Sequence, residues 1–306
     1  MLGQIRVGTE IVVVPVTVRD SDGILETGLN KDDFILLEDG IPQTISSFDH
    51  DPQPLSAAIV IDDGMSGNAL RQVSLLLFAF TAGIAPNDEL ITFRYDHVVD
   101  KLSDFSNDPK MLEKSFAVIA KIAKGRPQES EELIKGGPGW LRSILSIFPS
   151  PATSGSKDRI PHDAIFEAAT ALISRPMDRR RIIFLISDGA SGKTNTHSIG
   201  RNSEMLVKNN IQVFAISTVY ARFGSYGTLT SYADATGGDV LAGATANSLE
   251  HALNQITEQA RLQYILGYTS TNKSSPPGVF RKIVVKTHDP KQKVTHRKGY
   301  VSLTVH

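Results

Sequence analysis

Two kinds of apolar pattern alternate along this chain, and their order predicts its architecture. Residues 11–48 hold short β-rich runs, IVVVPVTVRD and DDFILLEDGIPQTISSF, with turn signals at Asp20–Gly23 and at Glu38–Asp39–Gly40. No helical period is visible there. From Pro54 the pattern changes. SAAIVI (56–61) is an unbroken apolar run, as expected of a strand covered on both faces. An apolar helix pattern follows over 69–85, then a strand over 88–95, then an amphipathic helix ending at Gly125 with Asp108 as its N-cap. HDAIFEAATALISR (162–175) predicts a helix, RRIIFLIS (180–187) a buried strand and NSEMLVKNNI (202–211) a helix. IQVFAIST (211–218) predicts another buried strand and SLEHALNQITEQARLQ (248–263) a last helix. Strands alternating with helices predict a parallel sheet with helices on both faces. After Gln263 the period-two alternation of strands returns, in YILGYTST, FRKIVVKTHD and KVTHRKGYVSLTVH.

The expected fold class is therefore α/β: a doubly wound, mostly parallel, Rossmann-like sheet plus a β-sandwich formed by N- and C-terminal strands. Residues 1–53 and 263–306 are expected to supply the sandwich and 54–262 the α/β domain. A Gly-, Pro- and Ser-rich stretch, 125–159, interrupts the rhythm and carries the only tryptophan, Trp140. It is expected to be a long loop, with a short helix over Trp140–Phe148. Trp140 suits either a partner contact or the anchoring of this stretch to its own domain.

Composition narrows the chemistry. The 306 residues carry a formal net charge of −1, so no bulk field draws the chain to nucleic acid or anionic lipid. No apolar run approaches the ~20 residues that span a bilayer, so no membrane insertion is expected. The absence of cysteine excludes disulfides, zinc–thiolate sites and a cysteine nucleophile. The start, MLGQIRVGTEIVVVPV, lacks the basic and apolar regions of a secretory signal. Two settings follow: the cytoplasm, or export with a signal already removed.

The candidate site lies in AAIVIDDGMSGNAL (57–70). Ligands of a doubly wound sheet bind beyond the carboxyl ends of its strands. Asp62 stands at one such end and Asp188, in ISDGAS, at another. Two carboxylates at neighbouring tips can share a hard cation with a hydroxyl such as Ser66 and with water.

A strand ending in Asp-x-Ser-x-Ser, then a helix, and later a strand ending in Asp-Gly, resembles a von Willebrand factor A domain. The flanks, VTVRDSDGILETGLNKDDFILLEDG and LQYILGYTSTN…GVFRKIVVKT…HRKGYVSL, are similar to the bacterial, Acidobacteria-type VWFA-related family. The resemblance implies a metal-ion-dependent adhesion site, with Asp62, Ser66 and Asp188 as metal ligands and Mg²⁺, Mn²⁺ or Ca²⁺ as cofactor. It also implies a protein ligand and an exported setting, in the periplasm, at the cell surface or outside the cell. The motif is incomplete: Gly64 stands where the first serine belongs, and Arg159 stands near the place of the expected threonine. Three states of the site follow. It holds a weakly bound cation, or Arg159 pairs Asp62 or Asp188 in a cation-free cluster, or the two aspartates only cap helix N-termini and turns. Asp63 is expected to cap the helix or face solvent.

Two enzymatic readings compete with a non-enzymatic binding or adhesion module. SDGASGKT (187–194) falls one glycine short of a P-loop, Ser187 standing in the first position, and no helix is expected to start at Lys193–Thr194. GMSGN (64–68) falls short of a nucleophile elbow; Ser66, His162 and Asp188 are in the wrong order for one, and His162 is expected to be exposed. The other histidines are scattered and read as surface residues. A structural role in a cell-envelope assembly is the remaining alternative.

Overall fold

Every residue of β5 (Leu55–Asp62) is buried, because parallel strands and helices cover it on all sides. In this computed structural model, residues 11–80, 84–126, 158–218, 227–243, 246–272 and 278–302 are described. The expected short helix at Trp140–Phe148, and Trp140 itself, lie outside them. Six strands form the central sheet: β5, β6 (Glu89–Tyr95), β7 (Val99–Lys101), β8 (Arg180–Ser187), β9 (Ile211–Ser217) and β10 (Val240–Ala242). Their spatial order is β10-β9-β8-β5-β6-β7, parallel except for the β6–β7 pair. The order reverses between β5 and β8, the switch point at which doubly wound sheets open a crevice.

Strand periodicity divides the core in two. Ala57, Ile59 and Ile61 face α1 (Gly67–Phe80), α2 (Pro109–Gly125) and α6 (Ala246–Arg261). Ala58 and Val60 face α3 (Pro161–Ile173), α4 (Ile199–Lys208) and α5 (Gly227–Thr236). Asp108 caps α2 as expected, accepting from the Lys110 N–H at 2.9 Å. Helix α4 starts three residues before its apolar pattern, because the Ser198 hydroxyl caps it. The sequence reading missed α5. Its buried residues Leu229, Tyr232, Ala233 and Thr236 keep helical spacing, but two of the four carry hydroxyls, which dilutes the apolar signal.

The chain ends meet in a sandwich of two four-stranded sheets, as the alternating flanks predict. One has the order β13-β1-β11-β4, from β13 (Lys293–His296), β1 (Ile11–Arg19), β11 (Tyr264–Thr269) and β4 (Ile45–Asp49). The other is β14-β12-β2-β3, from β14 (Gly299–Val301), β12 (Phe280–Thr287), β2 (Phe34–Glu38) and β3 (Ile41–Pro42). Val12, Val14, Val16 and Val18 from one sheet meet Phe34, Leu36, Ile283 and Val285 from the other.

A polar seam joins sandwich to core. Thr17 accepts from Gln259 Nε2 at 3.2 Å and Gln263 Nε2 at 3.1 Å, while Arg19 donates to Gln259 Oε1 at 2.8 Å. Arg180 donates to the carbonyls of Ala260, at 2.6 Å, and Gln263, at 2.8 Å, closing the C-terminal end of α6 with a positive charge.

Candidate functional site

The register of the sheet builds a buried polar row at the strand tips. Asp62 lies beside Tyr95 of β6, and Ser187, at the end of β8, lies beside Ser217 of β9. Asp62 and Ser187 carry on the side-chain alternation that faces α3, so both point toward the N-terminus of that helix. Tyr95, Asp62, Ser187 and Ser217 are all 1% exposed or less. Arg159 enters this row two residues before α3.

Arg159 Nη1 donates to Asp62 Oδ2 at 2.9 Å and to Asp188 Oδ1 at 2.6 Å. Ser187 Oγ donates to the same Asp62 oxygen at 2.7 Å, and the Gly64 N–H donates to Asp62 Oδ1 at 3.0 Å. Asp188 Oδ1 also accepts the Ala190 N–H at 3.0 Å. The guanidinium is 3% exposed and Asp62 is fully buried. Burial is the main influence on Asp62 and pushes it up to about 7; nearby Asp188 adds to this, while Arg159 and Ser187 oppose it. The same carboxylates hold Arg159 above its ordinary value against its own burial.

Asp62 and Asp188 are thus brought together, and Arg159 is the residue that joins them. Ser66 is not joined to either. Its hydroxyl accepts the Ala69 N–H at 3.3 Å, at the start of α1. Asp63 does not face solvent: it is 2% exposed and pairs with Arg94 Nη1 at 2.5 Å. Gly64 lies against the guanidinium, and a Cβ there would fall 2.8 Å from both Arg159 Nε and Asp96 Oδ1.

Mg²⁺ or Ca²⁺ needs ligand oxygens at roughly 2.0–2.6 Å. Arg159 Nη1 fills the space from which a cation would reach both carboxylates, and it carries a positive charge of its own. The residues as arranged do not fit a divalent cation. Among the described residues no group of three or more His, Cys, Asp or Glu side chains is placed to hold a metal.

The enzyme-like motifs come apart here. Ser187 Oγ is engaged with Asp62, and the Gly192 N–H donates to the Arg159 carbonyl at 2.7 Å. The loop over 189–198 therefore packs on segment 158–159, and α4 begins five residues after Thr194. His162 is half-buried rather than exposed. Its Nδ1 pairs with Tyr232 Oη at 3.0 Å, its ionisation is depressed mainly by burial, and among the described residues no hydrogen bond joins it to Ser66 or Asp188.

Asp163 anchors the same loop. Its carboxylate accepts the N–H groups of Thr196, at 2.9 Å, and His197, at 2.8 Å, and pairs with His197 Nδ1 at 2.8 Å. Burial would raise its pKa, but these bonds together hold it below the ordinary value. His197 stacks on Phe166, with ring centroids 3.7 Å apart. Asp163→Asn is expected to speed hydrogen exchange of the Thr196 and His197 amides by roughly ten- to a hundredfold, as loss of a charged acceptor costs ~1.5–3 kcal/mol. Unchanged exchange would mean that Asp163 does not hold the loop.

No protein-family model matches the chain, and no curated protein is similar to it in sequence. Among solved structures it is similar to proximal thread matrix protein 1 from the mussel byssus, at 11% identity, covering 70% of this chain and 49% of that one, with a TM-score of 0.45. The chain spans about half the length of that protein. A further structure of the mussel protein has zinc in its MIDAS motif. The chain is also similar to BatB from Bacteroides thetaiotaomicron, at 13% identity over 67% of this chain and 98% of that one, TM-score 0.43. A von Willebrand factor type A protein from Catenulispora acidiphila matches at 9% identity over 98% of this chain and 76% of that one, TM-score 0.45. The structures similar to this chain thus include von Willebrand factor A domains, the family its motifs resemble, while the fold assignment stands on the strand order and registers given above.

Proposed function

We propose that this chain is a non-enzymatic protein-binding module whose binding face is the loop surface at the strand tips, working without a cation. The observation that supports it most is the Arg159 bridge between Asp62 and Asp188, which ties the tips together with groups of the chain alone. Around that frame Ser191, Lys193, Thr194 and Thr196 are exposed on a loop fastened by Asp163. A rigid base carrying exposed polar loop residues is the usual form of a protein-recognition surface. Asp62 and Arg159 are too buried to touch a partner, so recognition falls to the loop. The division into an α/β domain over 54–262 and a sandwich from the two ends belongs to the same proposal. So does an exported setting.

A photo-crosslinking residue placed at Lys193, and another at Lys291 in the distant turn before β13, tests this in extracts of the source cells containing excess chelator. The expected result is a discrete protein adduct from position 193 and none from position 291. Adducts from neither position, or only in the presence of divalent metal, would overturn the reading. A structural assembly role would be shown instead by an adduct from position 291 alone.

A further inference from the structure

Gly64 and Arg159 are 95 positions apart in sequence and meet at one point. The guanidinium is held on one side by Asp62 and Asp188. On the other side, Arg159 Nε and Cδ lie 2.8 and 3.0 Å from where a Cβ on Gly64 would be. These are not the free end of a flexible side chain. They belong to a buried group pinned at Nη1, so they cannot withdraw without breaking the two charge-assisted bonds. Asp96 Oδ1 closes the remaining space at 2.8 Å. A serine at position 64, which the resemblance would place there, therefore cannot share the site with the guanidinium. The absence of one side chain and the presence of the other are a single structural fact.

We propose that Gly64 and Arg159 form a coupled unit that fills the strand-tip crevice in place of a divalent cation, and that the site is closed to metal while the guanidinium is seated. The positive charge that two buried carboxylates require comes from the chain itself. No free cation has to be present for the tips to close, and no change of cation concentration can loosen them. The inference concerns the site alone and holds whichever partner the loop takes.

The test uses the full chain, stripped with chelator and titrated with Mn²⁺ while free Mn²⁺ is followed by electron paramagnetic resonance. The wild type is expected to show no binding that depends on Asp62 up to about 10 mM, well above the ~0.1–1 mM typical of weak oxygen-ligand calcium modules. Arg159→Ala is expected to acquire binding in roughly that weak range, and Asp62→Asn added to it is expected to remove it. Should Arg159→Ala fail to fold, Arg159→Gln, a shorter polar side chain without the charge, takes its place. Thermal melting supplies the second readout. Gly64→Ala is expected to lower the melting temperature by about 4 °C or more. The same change in the Arg159→Ala background is expected to lower it by less than half as much, because Arg159 Nε and Cδ are gone and Asp96 Oδ1, the one struck atom that remains, has the emptied space to move into. Asp62-dependent Mn²⁺ binding by the wild type, no gain of binding when the charge is removed, or equal melting losses in the two backgrounds would each overturn the proposal.

Discussion

Replacing Arg159 by alanine is expected to destabilise the protein by about 3–5 kcal/mol, the range measured when one partner of a buried ion pair is removed. The guanidinium is 3% exposed and is shared by Asp62 Oδ2 and Asp188 Oδ1. Without it, two carboxylates stay in a low-dielectric crevice, with Ser187 Oγ and two backbone N–H groups as their donors among the described residues. The loss depends on pH in a defined direction. In the folded wild type burial pushes Asp62 up to about 7, against an ordinary value of 3.8. Between those values the folded state holds a proton that the unfolded state has released, so the Asp62 contribution to stability falls as pH rises through that window. Removing Arg159 takes away the positive charge opposing this rise and extends the window upward. Urea unfolding of Arg159→Ala is therefore expected to show a larger loss at pH 8 than at pH 5, with Asp62→Asn flattening the difference. Equal losses at both pH values would show that Asp62 is not the group left stranded.

Glu38→Ala is expected to cost a similar ~3–5 kcal/mol, and the loss falls on the sandwich. Glu38 ends β2 fully buried, where no sequence rule favours a glutamate. Its Oε2 accepts Tyr268 Oη at 2.7 Å and Tyr300 Oη at 3.0 Å; its Oε1 accepts Ser270 Oγ at 2.6 Å and Arg281 Nη1 at 2.8 Å. Tyr268 belongs to the opposite sheet, so one carboxylate bridges both layers. Burial alone would raise its pKa, but the bonds from Ser270, Tyr268, Arg281 and Tyr300 together prevail and hold it below the ordinary carboxylate value. A depressed folded pKa means stability that is present above the unfolded value of about 4.5 and lost as pH falls through the folded one. Acid unfolding monitored by tyrosine fluorescence is expected to begin at higher pH in Glu38→Gln, which keeps the shape and loses the charge. An unchanged acid midpoint would mean that this network contributes nothing to the acid limit.

Both cases mark the boundary between local and distant information. Periodicity disclosed the alternation of strands and helices from Leu55 to Arg261, α5 excepted, because strands buried on both faces read as unbroken apolar runs such as SAAIVI and RRIIFLIS. It also disclosed a sandwich shared by the two ends, because half-buried strands alternate. Asp62 and Asp188 were legible as a pair because strand ends in such a sheet converge on one crevice. The sequence also singled out Arg159 as a possible partner for them, but spacing could not decide between that pair, a cation and simple caps. The decision rests on where a residue that follows the long Gly-, Pro- and Ser-rich sequence enters the crevice, which only the packing of α3 against β5 and β8 determines. Gly64 was legible as a missing serine, not as the space that admits the guanidinium. Ser66, a ligand in the motif, turned out to cap α1, and Asp63, expected to cap the helix or face solvent, is buried against Arg94. The Glu38 bridge left no trace in the pattern, since its four donors come from positions 230 to 262 residues away. Burial of a charge is permitted only by partners that the fold brings together, so tertiary structure alone could show which charges this chain keeps inside.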